Sequence, residues 1–195
     1  TVNARRPKIH AGERRWAGEE RPPSEAATRV LHLVTNALPH TNAGYTQRTH
    51  RIAVAQRRAG MDVHVVTRVG YPLTKGVRDP RTSVCLDDVP YHRLIPWTAP
   101  ADSARELEVG TRMASALVEE VLHAASNHHN ARLALELGRR FGLPVVYEVR
   151  GFLEESWLSR DPSRSVEDAF YRAERANETA CMLAADLVVT LGETM

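Results

Sequence analysis

Three short stretches place polar or charged residues where an apolar run ends. In NALPHTNAGYTQRTH (36–50), Asn42, Gly44 and Arg48 stand at the start of a helix-like pattern. Such a turn offers free backbone N–H groups, and the helix dipole adds roughly half a positive charge. Gly44 would let a ligand approach the backbone closely, and Arg48, one turn on, would reinforce an anion site. The plain alternative is a loop in which Asn42 or Thr41 only caps the helix. LHAASNHHN (122–130) carries His123, His128 and His129 around Ser126. These read either as a polar lip, with histidines as hydrogen-bond donors or as a base, or as a surface pair with His123 packed in a strand. Adjacent histidines seldom ligate one ion, and no carboxylate or cysteine stands nearby, so no metal is expected. In YEVRG (147–151), Glu148 and Arg150 are two apart and therefore share a face. Buried charges of this kind are paired or functional, so a structural ion pair and a ligand role both remain open.

The chain contains no dinucleotide glycine fingerprint, Walker loop, nucleophile elbow, zinc spacing or paired-carboxylate signature. Lys+Arg number 26 against 24 Asp+Glu, and that near-balance argues against nucleic acid as a partner. The two cysteines, Cys85 and Cys181, lie far apart and suit unpaired thiols in a reduced cytosol. No window approaches the roughly 18 apolar residues of a membrane span. A cytoplasmic protein is expected, with attachment at the inner face of a membrane left open.

These residues need elements to position them. Residues 1–28 are charged, contain three prolines and read as a tail or extension, with Trp16 able to dock on the body. RVLHLVT (29–35), MDVHVVT (61–67), EVLHAAS (120–126), PVVYEVRG (144–151) and DLVVTLG (186–192) read as strands, and VPYHRLIPW (89–97) as one interrupted at Pro96. Helices are expected over 45–60, with Ile52, Ala55 and Ala59 inward, and over 103–119 and 129–142. Another is expected over 166–184, opened by a Ser165–Asp168 capping box, with Val166, Phe170, Ala173, Ala180 and Ala184 inward. Asp87–Asp88 read as a turn. Apolar strands alternating with helices predict a doubly wound α/β domain, a mostly parallel sheet flanked by helices. Its ligands should bind beyond the carboxyl ends of the strands. That selects the turns 36–44, 68–72, 126–129, 150–160 and 192–195.

Taken with their order, AGYTQRTHRIAVAQRRAGMDVHVVTRVGYP (43–72), LHAASNHHNARLALELGRRFGLPVVYEVRG (122–151) and AADLVVTLGETM (184–195) resemble the N-terminal domain of family 4 glycosyltransferases. These are retaining transferases of the two-domain GT-B fold, each half Rossmann-like. The resemblance covers about 29–195. It implies transfer of a sugar from a nucleotide-sugar donor to an acceptor, a free sugar or a lipid-linked one, with no cofactor and no metal. It places Asn42, Gly44 and Arg48 at the donor diphosphate and sugar. Arg68, Ser126, Glu148, Arg150 and Gly151 fall on the acceptor side, and His123 or His128 beside the transferred sugar. The chain departs from the pattern in having Ala125 where members often show a second histidine. The resemblance also implies that the donor-binding C-terminal domain is absent from this chain, which alone should be inactive. The alternatives are a stand-alone nucleotide-binding or interaction module of Rossmann or flavodoxin type. Against a dinucleotide site, Arg68 stands where an acidic residue should close the second strand. The basic face of helix 45–59 could also meet an anionic membrane surface.

Overall fold

The structure is a computed structural model and describes residues 28–192. The expected tail, Trp16 included, and residues 193–195 lie outside the described residues. Seven strands form one sheet: β1 (Arg29–Val34), β2 (Asp62–Thr67), β3 (Ser83–Leu86), β4 (Val89–Arg93), β5 (Val121–Ala125), β6 (Val145–Val149) and β7 (Leu187–Thr190). Their order is β3-β4-β2-β1-β5-β6-β7, parallel except for β3, which runs antiparallel to β4. Asp87 and Asp88 form the two-residue turn between β3 and β4, both with positive φ. Short side chains tolerate that conformation, and it matches the twist of a hairpin.

Helices α1 (Gly44–Arg58), α2 (Ser103–Ala114), α3 (His128–Phe141), α4 (Leu153–Leu158) and α5 (Ala169–Ala184) complete the described chain. The α/β reading holds, and the observed bounds lie close to those expected. Three differences have local causes. Residues after Ala114 tighten into a 3-10 turn, so α2 stops short of 119. Helix α4, whose one buried residue is Glu154, is too short to show a period in sequence. The Ser165 N–H does donate to Asp168 Oδ2 at 2.7 Å, but this closes a turn, and α5 begins three residues later than expected, at Ala169, with Asp168 as its N-cap.

The inward faces of two helices also differ from expectation. In α1 the buried residues are Thr46, Thr49, His50 and Ala53, while Ala55 and Ala59 are exposed. In α5 they are Tyr171, Glu178 and Cys181, while Val166, Phe170, Ala173, Ala180 and Ala184 are exposed. Both helices cover polar ground. The sheet face beneath α1 carries His32, His123 and Glu148, and the neighbours of α5 include His128 and Tyr147. Apolar periodicity therefore points the wrong way.

The core divides by sheet face. Leu31, Leu33, Val66, Leu122 and Tyr147 pack under α2, α3 and α5. Val30, Val63, Val65 and Tyr91 pack with Ala53 of α1 on the other side. Gly138 in α3 permits that closeness, since a Cβ there would stand 2.6 Å from Val145 Cγ2. From β1 the chain winds one way to β2 and later returns to β5 on the other side. The switch point therefore lies between the carboxyl ends of β1 and β5.

Candidate functional site

At that switch point a cleft of about 520 Å³ opens, lined by Thr35 and Asn36 after β1, Ser126 and Asn127 after β5, and Arg150 and Gly151 after β6. Tyr45 and Thr49 of α1 form one wall, and Phe152, Leu153, Ser156 and Arg160 the opposite one. A second cleft, also about 520 Å³, lies on the β2 side of β1 and shares Thr35 and Asn36 with the first. Arg68, Lys75, Asp102 and Glu106 line it. Both sit at the strand ends that the topology selects.

The loop 36–43 between β1 and α1 is tied down at several points. Tyr71 donates to Ala37 O at 2.5 Å, and its hydroxyl lies 3.0 Å from Thr41 Oγ1. His40 Nε2 lies 2.8 Å from Asp79 Oδ2, and buried Arg93 holds that same carboxylate. Asn36 Nδ2 donates to the Tyr45 hydroxyl at 2.9 Å. Asn42 accepts from Gln47 at 2.9 Å. The first turn of α1 is closed by Thr46, whose Oγ1 accepts from the Ala43 N–H. The N–H groups of Gly44 and Tyr45 have no acceptor among the described residues. Gly44 does not have positive φ, and a Cβ added there would meet nothing within 4 Å. Neither the backbone conformation nor the packing of this domain requires glycine at that position.

Glu148 is the centre of the charged residues. Only 2 % exposed, it accepts from Arg48 Nε at 2.8 Å and from Arg150 at 2.6 Å, with His123 Nε2 3.3 Å away. Burial acts to raise its pKa. The contacts from His123, Arg150 and Arg48 outweigh that and hold the carboxyl well below the usual range. Arg150 also donates to Tyr45 O and Thr49 Oγ1, which ties the start of α1 to the end of β6. The expected pairing of Glu148 with Arg150 is thus present, and Arg48 points into it rather than toward the loop.

On the β2 side, Arg68 grips Glu106 of α2 through two bonds of 2.5 and 2.8 Å. That pair keeps the Glu106 carboxyl low. His129 lines a small cavity together with this pair, Leu33 and Leu133. Burial, with His128 and Arg68 adding to it, lowers its pKa to about 4, so its ring is neutral near pH 7.

The two histidines expected beside the transferred sugar line neither cleft. His123 lies on the sheet face under α1, its ring 4.5 Å from that of His32. His128 is buried between α3 and α5. Its N–H donates to Glu178 Oε1 at 2.8 Å, and its Nδ1 lies 3.5 Å from Glu174. Thr35, Asn36, Asn127, Tyr45, Arg160 and Glu106 line the clefts without having been singled out in the sequence. Their signal was position, since Asn36 and Asn127 each follow an apolar run at the strand end nearest the switch. Asn127 Oδ1 is buried and unpartnered, an acceptor held ready at the cleft. No group of His, Cys, Asp and Glu suited to a metal ion occurs among the described residues.

A profile of the Glycosyl transferase 4-like domain family matches residues 43–195. No curated protein sequence matches the chain. Many solved structures share its fold, among them two UDP-N-acetylglucosamine 2-epimerases. UDP-GlcNAc 2-epimerase from Methanocaldococcus jannaschii superposes with a TM-score of 0.53 at 9 % identity, over 85 % of this chain and 40 % of that one. UDP-N-acetylglucosamine 2-epimerase from Rickettsia bellii gives 0.50 at 14 % identity, over 86 % of this chain and 40 % of that one. The chain therefore spans about two fifths of the length of either enzyme.

Proposed function

Because the chain belongs to the Glycosyl transferase 4-like family, we propose that it forms the acceptor-side half of a retaining glycosyltransferase, one that moves a sugar from a nucleotide-sugar to an acceptor. The observation that carries this reading is the pair of clefts flanking the end of β1, which meet at Thr35 and Asn36. At the start of α1, Tyr45 lines the switch-point cleft, and the N–H groups of Gly44 and Tyr45 are free among the described residues. They would stabilise the departing diphosphate electrostatically, as fixed donors aimed at developing charge do. Close approach is what a glycine unneeded by the fold would serve.

The acceptor would lie along the strand ends, its hydroxyls meeting Ser126, Asn127 and the Arg68–Glu106 pair. Glu148 and Arg150 act one layer behind, holding α1 and β6 in register. In this reading His123 is a positioning residue that acts through Glu148, and His128 fixes α3 against α5. Catalysis requires donor and acceptor in one geometry, and the donor's nucleotide would be held by a second domain like that which completes the longer enzymes. The chain alone is therefore inactive as a transferase. The exposed Arg51 and Arg58 of α1 would face an anionic membrane if the acceptor is lipid-linked.

The test is sugar transfer from a panel of labelled nucleotide-sugars, using this chain alone and the chain joined to a donor-binding domain. Transfer only by the joined protein, undiminished by chelator and with the anomeric configuration retained, is expected. Inversion of the product, or no transfer with any donor, overturns the reading.

A further inference from the structure

We propose that the cleft between β1, β5, β6 and α4 contains an oxyanion subsite, lined by Arg160 and Arg150, that receives a phosphate group carried by the acceptor. The inference rests on the acceptor-side reading above, but its argument is one of charge. None of the residues lining this cleft is Asp or Glu. Arg160 is exposed at the end of α4, and its side chain makes no hydrogen bond or ion pair among the described residues. Arg150 is nine-tenths buried, and its Nε has no partner. Arg48 and Arg150 share the single carboxylate of Glu148, which leaves that cluster with an excess positive charge.

The neighbouring cleft differs. Its two cations, Arg68 and Lys75, stand against two carboxylates, Asp102 and Glu106. Two clefts of equal volume thus have unlike chemistry: the balanced one suits an uncharged polyhydroxyl group, and the positive one suits an anion. Phe152 and Leu153 add apolar surface to the lining of the same cleft. Asn36, Ser126 and Ser156 add neutral polar groups to that lining. A guanidinium fork matches the paired oxygens of a phosphate. That phosphate is a monoester on the acceptor, which meets Ser126 and Asn127 in the same cleft. The donor's diphosphate presents a similar oxyanion and is the competing outcome of the test.

The full chain is titrated with methyl phosphate and, separately, with methyl diphosphate, and binding is followed by amide chemical shifts, which also report the fold. Arg160→Gln is compared with Arg112→Gln, which removes an exposed arginine of α2 outside the cleft. The wild type is expected to bind at least one ion, with shifts at Tyr45, Ser126 and Gly151. Arg160→Gln should weaken binding about tenfold or more, and Arg112→Gln should leave it unchanged. Tighter binding of the monoester supports the proposal, and tighter binding of the diphosphate overturns it by assigning the subsite to the donor. Absence of binding, equal affinity in Arg160→Gln, or equal losses in both variants overturns the proposal. The readout needs no sugar transfer, so a failed transfer assay and a failed titration are separate results.

Discussion

Glu148 and Arg48 lie one hundred residues apart in the chain, yet their side chains meet at 2.8 Å beneath α1. Through this contact, and that of Arg150 with Thr49, a helix following the first strand is tied to the sixth strand across the switch point. The elements that frame the candidate cleft are therefore joined by charge as much as by apolar packing.

Removing that carboxylate should cost more than the loss of one surface ion pair. Glu148→Ala leaves Arg150 buried without its partner, and breaking a buried pair in this way costs roughly 3–5 kcal/mol. Glu148→Gln, which keeps the shape and one acceptor, should lose less. Chemical denaturation of both variants measures the difference. Because the folded carboxyl titrates below its ordinary value of 4.5, its contribution is complete above that pH. It is lost only as pH falls below 4.5 toward the lower folded value.

His32 gives a second acid dependence. Burial first, and His123 next, lower its pKa from 6.5 to about 3. Its Nε2 donates to Gln56 Oε1 at 2.7 Å, while Nδ1 is buried with no partner. Between those two values the unfolded chain binds a proton that the folded chain refuses, so stability falls as pH falls. From pH 7 to 5 this one group should remove on the order of 2 kcal/mol. His32→Asn should flatten the slope of unfolding free energy against pH over that range. An unchanged slope would show that His32 is not the responsible group.

Two glycines should respond in opposite ways. A Cβ at Gly138 would collide with Val145 Cγ2 and with the Leu143 carbonyl at 2.9 Å. Gly138→Ala should therefore destabilise by about 1–3 kcal/mol despite the better helix propensity of alanine. Gly44→Ala meets nothing within 4 Å and should change stability by no more than about 0.5 kcal/mol. In the joined enzyme it should still slow sugar transfer, because a methyl group would stand where the diphosphate must approach. Melting curves and transfer rates on the two variants separate fold from function.

The Arg68–Glu106 pair is partly solvated, with side-chain exposures of 34 % and 23 %. Arg68→Gln should thus cost less than about 1 kcal/mol of stability. If the pair orders the acceptor, the same change should raise the acceptor KM in the joined enzyme while the donor KM stays constant. A loss of stability with no change in acceptor KM would make the pair purely structural.

The parallel sheet was legible because most of its strands are apolar almost throughout, and its ligand edge was legible because topology fixes where strands end. Glu148 and Arg150 could be placed on one face from their spacing of two. The inward faces of α1 and α5 were not legible. Apolar periodicity assumes an apolar partner, whereas Thr49, His50 and Glu178 turn inward to meet Arg150, Tyr91 and His128. The exclusion of His123 and His128 from the clefts was hidden for a related reason. A strand residue faces one side of the sheet or the other, and His123 falls on the side under α1. His128 opens a helix whose first turn is capped from α5.

Local sequence alone determined the doubly wound class, most of the element order (β3 and α4 escaped it) and the turns that the winding rule selects. These depend on short-range periodicity and on rules of chain winding. Only the tertiary structure decided which charges are already neutralised. Arg48, Arg68 and Arg150 all look alike in the sequence as candidate anion ligands. Each meets a carboxylate 2 to 100 residues away, and Arg160, at the end of the selected turn 150–160, lines the cleft without one among the described residues. Electrostatic pairing acts through space, and a single sequence carries no record of which distant side chains it brings together.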